Sequence, residues 1–432
     1  MLPELTRPEM GTIFSDENRF QLMLDVSLTA CEALMDIGRI PREAYEEIKA
    51  RAGYDIPRIR QLTEETHDEA QAFLLCLSER IGANSCYLQP GVCPMDIVDT
   101  ATSLQISQVA DILLGRLNLL RKSLADMAHE YKYTLMLGRT HGVSAEPITF
   151  GLKLALWVRE VDRAISRLNH ARSLTAVGMI SGVVGTFASV DPHVETFVCR
   201  RLGLHPAYIT TQCLQRDRMA DFLTVLALIG GTLEKFANDI RNMQRNNIGE
   251  VDEASDEGLR IRLSMPMPQN SRPYDTEQIS GIARVLRGNA QVAMENIAID
   301  DEFDGAFCAA ERVILPDSCI LLDYMLWSFT NTITNLHVYP DIMMKNIDST
   351  LGLVFSQRVM LALMDKGLTQ EKAYDIVMRN AKTSWENRQD FQYLILQDQE
   401  VRQYFSSDDI MALFDYDYFR RQIDYIFARA DI

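Results

Sequence analysis

The sequence predicts an all-α fold of long packed helices, and three observations carry that reading. Glycine and proline are sparse, 22 and 14 in 432 residues, so the chain has few breaks. Apolar residues recur at helical spacing over stretches well beyond the average helix of about 11–12 residues. Several stretches are apolar on more than one side, as in LTVLALIGG (223–231) and SCILLDYMLW (318–327). Such helices need burial on several faces, by other subunits as well as other helices of the same chain.

The elements follow in order. Ser15 is placed to cap a helix that opens with Asp16 and Glu17, acids suited to the positive end of the helix dipole, and that Gly38 ends. Two further helices are expected over 42–52 and roughly 59–81, then a loop over GANSCYLQPGVCP (82–94). From Asp96 to about Lys132 there is no proline and only Gly115, with Val98, Val109, Ile112, Leu117, Leu120 and Leu124 at helical spacing. At 1.5 Å per residue that helix would be about 55 Å long. Comparable patterns run over about 145–173, 214–247, 276–299 and 317–336, and shorter helices follow Tyr339. The expected organisation is an N-terminal helical domain over 1–93, a central long-helix bundle over 94–341 and a C-terminal helical domain over 342–432.

Composition narrows the function classes. The hydrophobic fraction of 47% and charged fraction of 24% belong to an ordinary globular protein. A net charge of −17 argues against nucleic acid as a partner, because phosphates need a basic face. The longest nearly apolar run, Phe222–Ile229, is shorter than the roughly 20 residues a membrane span needs, so no membrane partner is expected. The opening MLPELTRPEM has two acids and no apolar core, unlike a leader. The eight cysteines form no C-x-x-C pair and no zinc spacing, which fits reduced thiols in a cytoplasmic protein without metal or cofactor.

Four segments carry residues with chemistry. In MLGRTHGVSAEPITFGLKLALW (136–157), His141 lies in an expected junction between two long helices. A histidine there serves either as a general acid or base near neutral pH or as a structural group satisfied by backbone. In VGMISGVVGTFASVDP (177–192), Gly178, Gly182 and Gly185 permit close backbone approach to a ligand or a helix. Gln212, Arg216 and Arg218 precede a long apolar helix, where they would bind an anion or cap the helix and pair with Asp217. In THDEAQ (66–71), His67 and Gln71 would share a helix face, and a solvated face is a better reading than a metal site.

Together these segments resemble adenylosuccinate lyase, of the fumarase/aspartase superfamily, over essentially the whole chain. The resemblance rests on RPEM…SDENRF (7–20), DIVDTA (96–101), GRTHGVSAEPITFGLKLALW, ISGVVGTFASVDP, TQCLQRDRMAD, GIARVLRG (281–288), AERVILPDSCILLDYML (310–326) and LGLVFSQRVMLALMDKGLTQEKAYDIV (351–377). It implies three helical domains, a homotetramer built on the central helices, and active sites shared by three subunits. It also implies β-elimination on a small-molecule substrate: a base removes a proton next to a carboxylate, and an acid protonates the departing nitrogen. By the resemblance His141 is that acid and Glu277 orients it.

Other positions depart from the family pattern. Anchored on Met267-Pro268 and Pro273, the loop LSMPMPQNSRP places Ser264 at the first loop serine and Met265 at the serine base. Asn270 stands for the loop lysine and Arg272 for the loop asparagine. Asp68 stands where a pocket histidine is usual, Gln89 for a second histidine, Cys93-Pro94 for a Thr-Ser pair, and Ser144 for the second histidine of the GRTHG segment. Glu4-Leu5 replaces an Arg-Tyr pair that contacts phosphate, and Phe303, Phe307 and Cys308 replace an arginine and polar neighbours. Gln212, Arg216 and Arg312 remain. The shift from cations and hydroxyls toward apolar and acidic groups leads to the expectation of a repurposed carbon–nitrogen lyase acting on a less anionic substrate. Its candidate catalytic residues are His141, Glu277, Ser264 and Asp68; Gln89, Cys93, Ser144, Gln212, Asn270 and Arg312 are candidates for binding. The alternatives are a non-catalytic homologue that binds a ligand or co-assembles with a partner, and a genuine adenylosuccinate lyase.

Overall fold

A computed structural model describes residues 3–253 and 273–432. The fold is all-α, with seventeen α-helices among the described residues and only three two-stranded pairings. The five long helices are Pro94–Glu130, Phe150–Thr175, Asp217–Met243, Tyr274–Glu295 and Ala306–Thr334. Two compact units share the chain. The first takes Met1–Leu119, Arg163–Glu234 and Gln278–Phe329; the second takes Leu120–Asp162, Lys235–Glu277 and Thr330–Ile432.

In the first unit Ser15 caps the Asp16–Asp36 helix by accepting the Asn18 N–H at 3.2 Å. Inside the core Phe20 stacks on Phe73, with ring centroids 5.8 Å apart. The single helix expected over 59–81 is two, Ile56–Thr66 and Glu69–Ile81. His67 takes a left-handed conformation (φ 56°), and the Asp68 carboxylate accepts the Gln71 N–H at 3.0 Å as the cap of a new helix. An aspartate that satisfies free N–H groups competes with continuing the turn before it, which periodicity does not register. The last long helix also differs from expectation: it starts at Ala306 and runs through Pro316. By length and composition alone Ala306–Thr334 is apolar enough to cross a membrane, although 67% of its most apolar window is buried inside the protein.

The glycine segment works by close approach. At Gly185, φ is +75° and an added Cβ would lie 2.1 Å from the Thr210 carbonyl oxygen. At Gly178 it would meet the Cys199 Sγ at 2.8 Å.

The second unit holds an antiparallel hairpin, Leu135–Thr140 with Val143–Thr149, where a helix was expected from 145. The helix instead begins at Phe150, and Thr149 Oγ1 accepts the Leu152 N–H at 3.1 Å. Gly138 lies at the register irregularity between Leu137 and Arg139; a Cβ there would sit 2.3 Å from the Glu146 carbonyl oxygen. One aromatic cluster and one local cap hold the C-terminal helices. Phe355 packs among Phe414, Tyr416 and Phe419 at 5.1, 5.1 and 5.4 Å. Ser406 and Asp409 form a reciprocal capping box.

Gly185→Ala is expected to destabilise the chain by roughly 2–4 kcal/mol, since it combines a left-handed backbone with a clash against backbone. Urea denaturation of the two proteins checks this, and an unchanged midpoint would refute the close-approach account.

Candidate active site

His141 lies at the junction between two long helices, as expected, at the tip of the hairpin that joins Pro94–Glu130 to Phe150–Thr175. Thr140 and Val143 pair across the turn, and both central residues have positive φ, His141 at 55° and Gly142 at 79°. That is the geometry of a two-residue type I′ turn, whose twist matches the flanking strands and whose second position suits glycine. Residues 140–144 are all exposed, so the imidazole and the Ser144 hydroxyl are both presented to solvent. Ser144 lies opposite Arg139 in the register. Arg139 in turn donates both guanidinium arms to Glu250, at 2.9 and 2.6 Å, and the Glu250 side chain is fully buried. Glu277 occupies the first turn of the Tyr274–Glu295 helix and is exposed. Ser264 and Asn270, with Met265 and Arg272, lie outside the described residues.

In the first unit the side chains of Cys93 and Gln212 meet, with Gln212 Nε2 donating to Cys93 Sγ at 3.7 Å. Burial raises the Cys93 thiol above its ordinary value, against the opposing pull of backbone donors and Gln212. Gln89 Nε2 is buried without a hydrogen-bond partner among the described residues. Asp68 is exposed and engaged as a helix cap. Arg312 pairs with Glu69, which also receives both arms of Arg19 at 2.5 and 2.6 Å. His67, Asp68 and Glu69 form no metal-holding group, and none occurs elsewhere among the described residues.

Arg216 is not a free anion-binding cation. Its guanidinium is buried, paired to Asp99 and to Glu311 (3.0 Å), and donates to the Leu214 carbonyl at 2.8 Å. Phe307 lies under it, 4.3 Å from guanidinium carbon to ring centroid. An aromatic face beside a desolvated guanidinium is a favourable cation–π contact, which gives the phenylalanine a use there. Asp99 also accepts the Leu214 N–H at 2.7 Å, so it joins the arginine and its own backbone segment. Burial pushes the Glu311 carboxyl up to about 7, against the opposing pull of Arg216. Sequence reasoning missed Asp99, Glu311 and Glu250. Asp99 had a signal, since DIVDTA places two acids three apart, on one face of a long helix; Glu250 and Glu311 had none.

Comparison with known proteins places this geometry. A family model described as lyase matches residues 4–288, and one described as adenylosuccinate lyase C-terminus matches 352–430. The chain is 44% identical to the adenylosuccinate lyase of Bacillus subtilis (strain 168) over 429 residues, which is 99% of each. The chain belongs to the adenylosuccinate lyase family. Among solved structures, it resembles a fumarate lyase from Mesorhizobium sp. BNC1, with a TM-score of 0.89, 28% identity and 98% of each chain covered. It also resembles 3-carboxy-cis,cis-muconate lactonizing enzyme from Pseudomonas putida, with a TM-score of 0.89, 26% identity, and 99% of this chain and 96% of that one covered.

Family membership overturns the expectation of a divergent enzyme repurposed for a less anionic substrate. Identity of 44% along the whole chain, with the family's own C-terminal module, favours the genuine adenylosuccinate lyase that had stood as an alternative. The departures from the motif are single positions in a chain that matches along its whole length. Four of those positions, Ser264, Met265, Asn270 and Arg272, lie outside the described residues.

The Glu311 carboxyl yields a pH prediction. Its value rises from an ordinary 4.5 to about 7 on folding, so the folded state holds the proton more tightly. The associated stability is complete below about pH 4.5 and is lost as the pH rises through 7. Glu311→Gln should flatten this dependence, removing a loss of up to about 3 kcal/mol. Urea midpoints of both proteins at pH 5 and pH 8 are the measurement, and parallel profiles would show that Glu311 is not the group involved.

Proposed function

We propose that this chain cleaves adenylosuccinate by β-elimination, releasing fumarate. The observation that carries this reading is the 44% identity to an adenylosuccinate lyase over 99% of both sequences. In the step, a base takes a proton from the succinyl carbon next to a carboxylate. That electron pair forms the carbon–carbon double bond, the carbon–nitrogen bond breaks, and the nitrogen leaves with a proton from an acid.

His141 is assigned as the acid. Imidazole is the commonest side-chain proton donor and acceptor in catalysis, and the hairpin tip presents it without burial. Glu277 is assigned to orient it. Ser264, the hydroxyl nearest in sequence to the family's serine base, is assigned to the proton-abstracting side. Asp68 is the second carboxylate candidate for proton transfer. Gln89, Cys93, Ser144, Gln212, Asn270 and Arg312 are assigned to substrate binding. The unpartnered amide of Gln89 and the Gln212–Cys93 contact suit a polar ligand beside the 82–94 loop.

The proposed assembly is a homotetramer with sites completed by neighbouring subunits. Exposed apolar residues along the long helices support it: Leu119, Leu156, Leu228, Val285 and Val313 are all exposed in the single chain. The three domains 1–93, 94–341 and 342–432 belong to the same reading, as does a cytoplasmic enzyme that needs no cofactor.

Purified protein incubated with adenylosuccinate should release fumarate, and His141→Ala should lower kcat by roughly 10²–10⁴-fold. A folded oligomer that releases no fumarate would exclude the reaction, and equal activity in the variant would exclude His141 as the acid.

A further inference from the structure

The short run Glu250-Val251-Asp252-Glu253 touches both elements that carry the proposed acid and its partner. At one end, the buried Glu250 carboxylate holds both arms of Arg139, two residues before His141. Asn346 donates to the same carboxylate at 2.8 Å and to the Ile248 carbonyl at 2.9 Å. Glu250 is also fixed through its backbone: its N–H donates to the Met243 carbonyl at 2.9 Å, and its carbonyl accepts the Tyr339 N–H at 3.0 Å. At the other end, Glu253 receives the Asp275 N–H at 2.7 Å and the Thr276 hydroxyl at 2.8 Å. It therefore caps the Tyr274–Glu295 helix one turn ahead of Glu277, with a charge that suits the positive end of the dipole.

Between these ends the run cannot slide. Val251 and Asp252 pair with Val338 and His337, Gln244 Nε2 donates to Asp252 Oδ1 at 2.7 Å, and the Glu253 N–H donates to Gln244 Oε1 at 3.2 Å. Two buried carboxylates three residues apart are costly to desolvate, and each is matched by fixed donors. We propose that Glu250 and Glu253 are positioning residues that set the His141 hairpin and the Glu277 helix start from one rigid segment. The assignment of His141 and Glu277 rests on the function proposed above; the mechanical coupling rests on the contacts alone. A catalytic group displaced by about 1 Å loses on the order of 10²-fold in rate while binding is spared, so the effect belongs in kcat.

The test uses Glu250→Gln and Glu253→Gln in the full-length protein, with Glu253→Asp as a conservative control. Fumarate release should show kcat falling on the order of 10–10²-fold with KM within about twofold, and the Asp variant should recover part of the loss. In parallel, amide hydrogen exchange is read by mass spectrometry. Glu250→Gln should speed exchange in the 135–149 hairpin but not at 274–280, and Glu253→Gln should do the reverse. Unchanged kinetics, or exchange that rises equally across the chain, would overturn the positioning role. If wild-type protein releases no fumarate, the proposed function fails, and the exchange pattern decides the positioning alone.

Discussion

The first turns of the Pro94–Glu130 helix anchor the loops of the first unit. Asp96, Asp99 and Thr100 fall on one helix face, and each binds backbone from a distant part of the sequence. Asp96 accepts N–H groups from Cys93, Ser181 and Gly182, at 2.8, 3.0 and 3.2 Å. Asp99 takes the Leu214 N–H and Arg216, and Thr100 exchanges hydrogen bonds with Met179 in both directions. The loop bearing Cys93, the glycine segment and the segment bearing Gln212 are all held to one helix end. Irregular backbone can be buried there because side chains supply the partners that a helix or sheet would otherwise give.

Several buried charges are matched by an opposite one. Besides Arg216 and Arg139, Arg116 donates to the fully buried Asp323 at 3.0 Å, within the long apolar helix Ala306–Thr334. Burial still raises the Asp323 carboxyl, and Asp96 rises to about 6 despite its three N–H donors. Desolvation therefore outweighs hydrogen bonding at these acids, as expected for carboxylates held away from water. Their worth lies less in net stability than in specifying one arrangement, because a shifted helix would leave each charge unpaired. The net charge of −17 thus describes the surface, while the interior is organised by a few matched pairs.

Much of the architecture was legible in the sequence. The long helices follow from sparse breakers and 3.6-residue periodicity, and Ser15 caps as its position implied. The errors are local and share a cause. At His67–Asp68 a capping side chain ends one helix and starts another, and over 145–149 the second strand of a hairpin, closed by two positive-φ residues, stands where apolar spacing suggested the start of a helix. The helix expected from 317 starts at Ala306 and runs through Pro316, with Ile314, Leu315, Ser318 and Cys319 beside the proline buried. In each case tertiary contacts or turn chemistry outweighed the periodic pattern. The site was less legible: motif positions identified His141 and Arg216 as interesting, but the acids that hold Arg216 and Arg139, the latter two residues before His141, lie roughly 100 residues away in the chain.

By itself, the sequence determined the helical class, the family resemblance and the residues that could do acid–base chemistry. Spacing, composition and motifs are local quantities, and these conclusions need nothing more. Only the tertiary structure decided which charges are available to a ligand. It set Arg216 between two carboxylates and over Phe307, held Arg139 by Glu250, and left the His141 hairpin tip exposed. An arginine reads the same in a sequence whether it faces solvent or a buried acid. The difference is made by which distant carboxylate the fold brings within about 3 Å, where desolvation turns a mobile cation into a fixed strut.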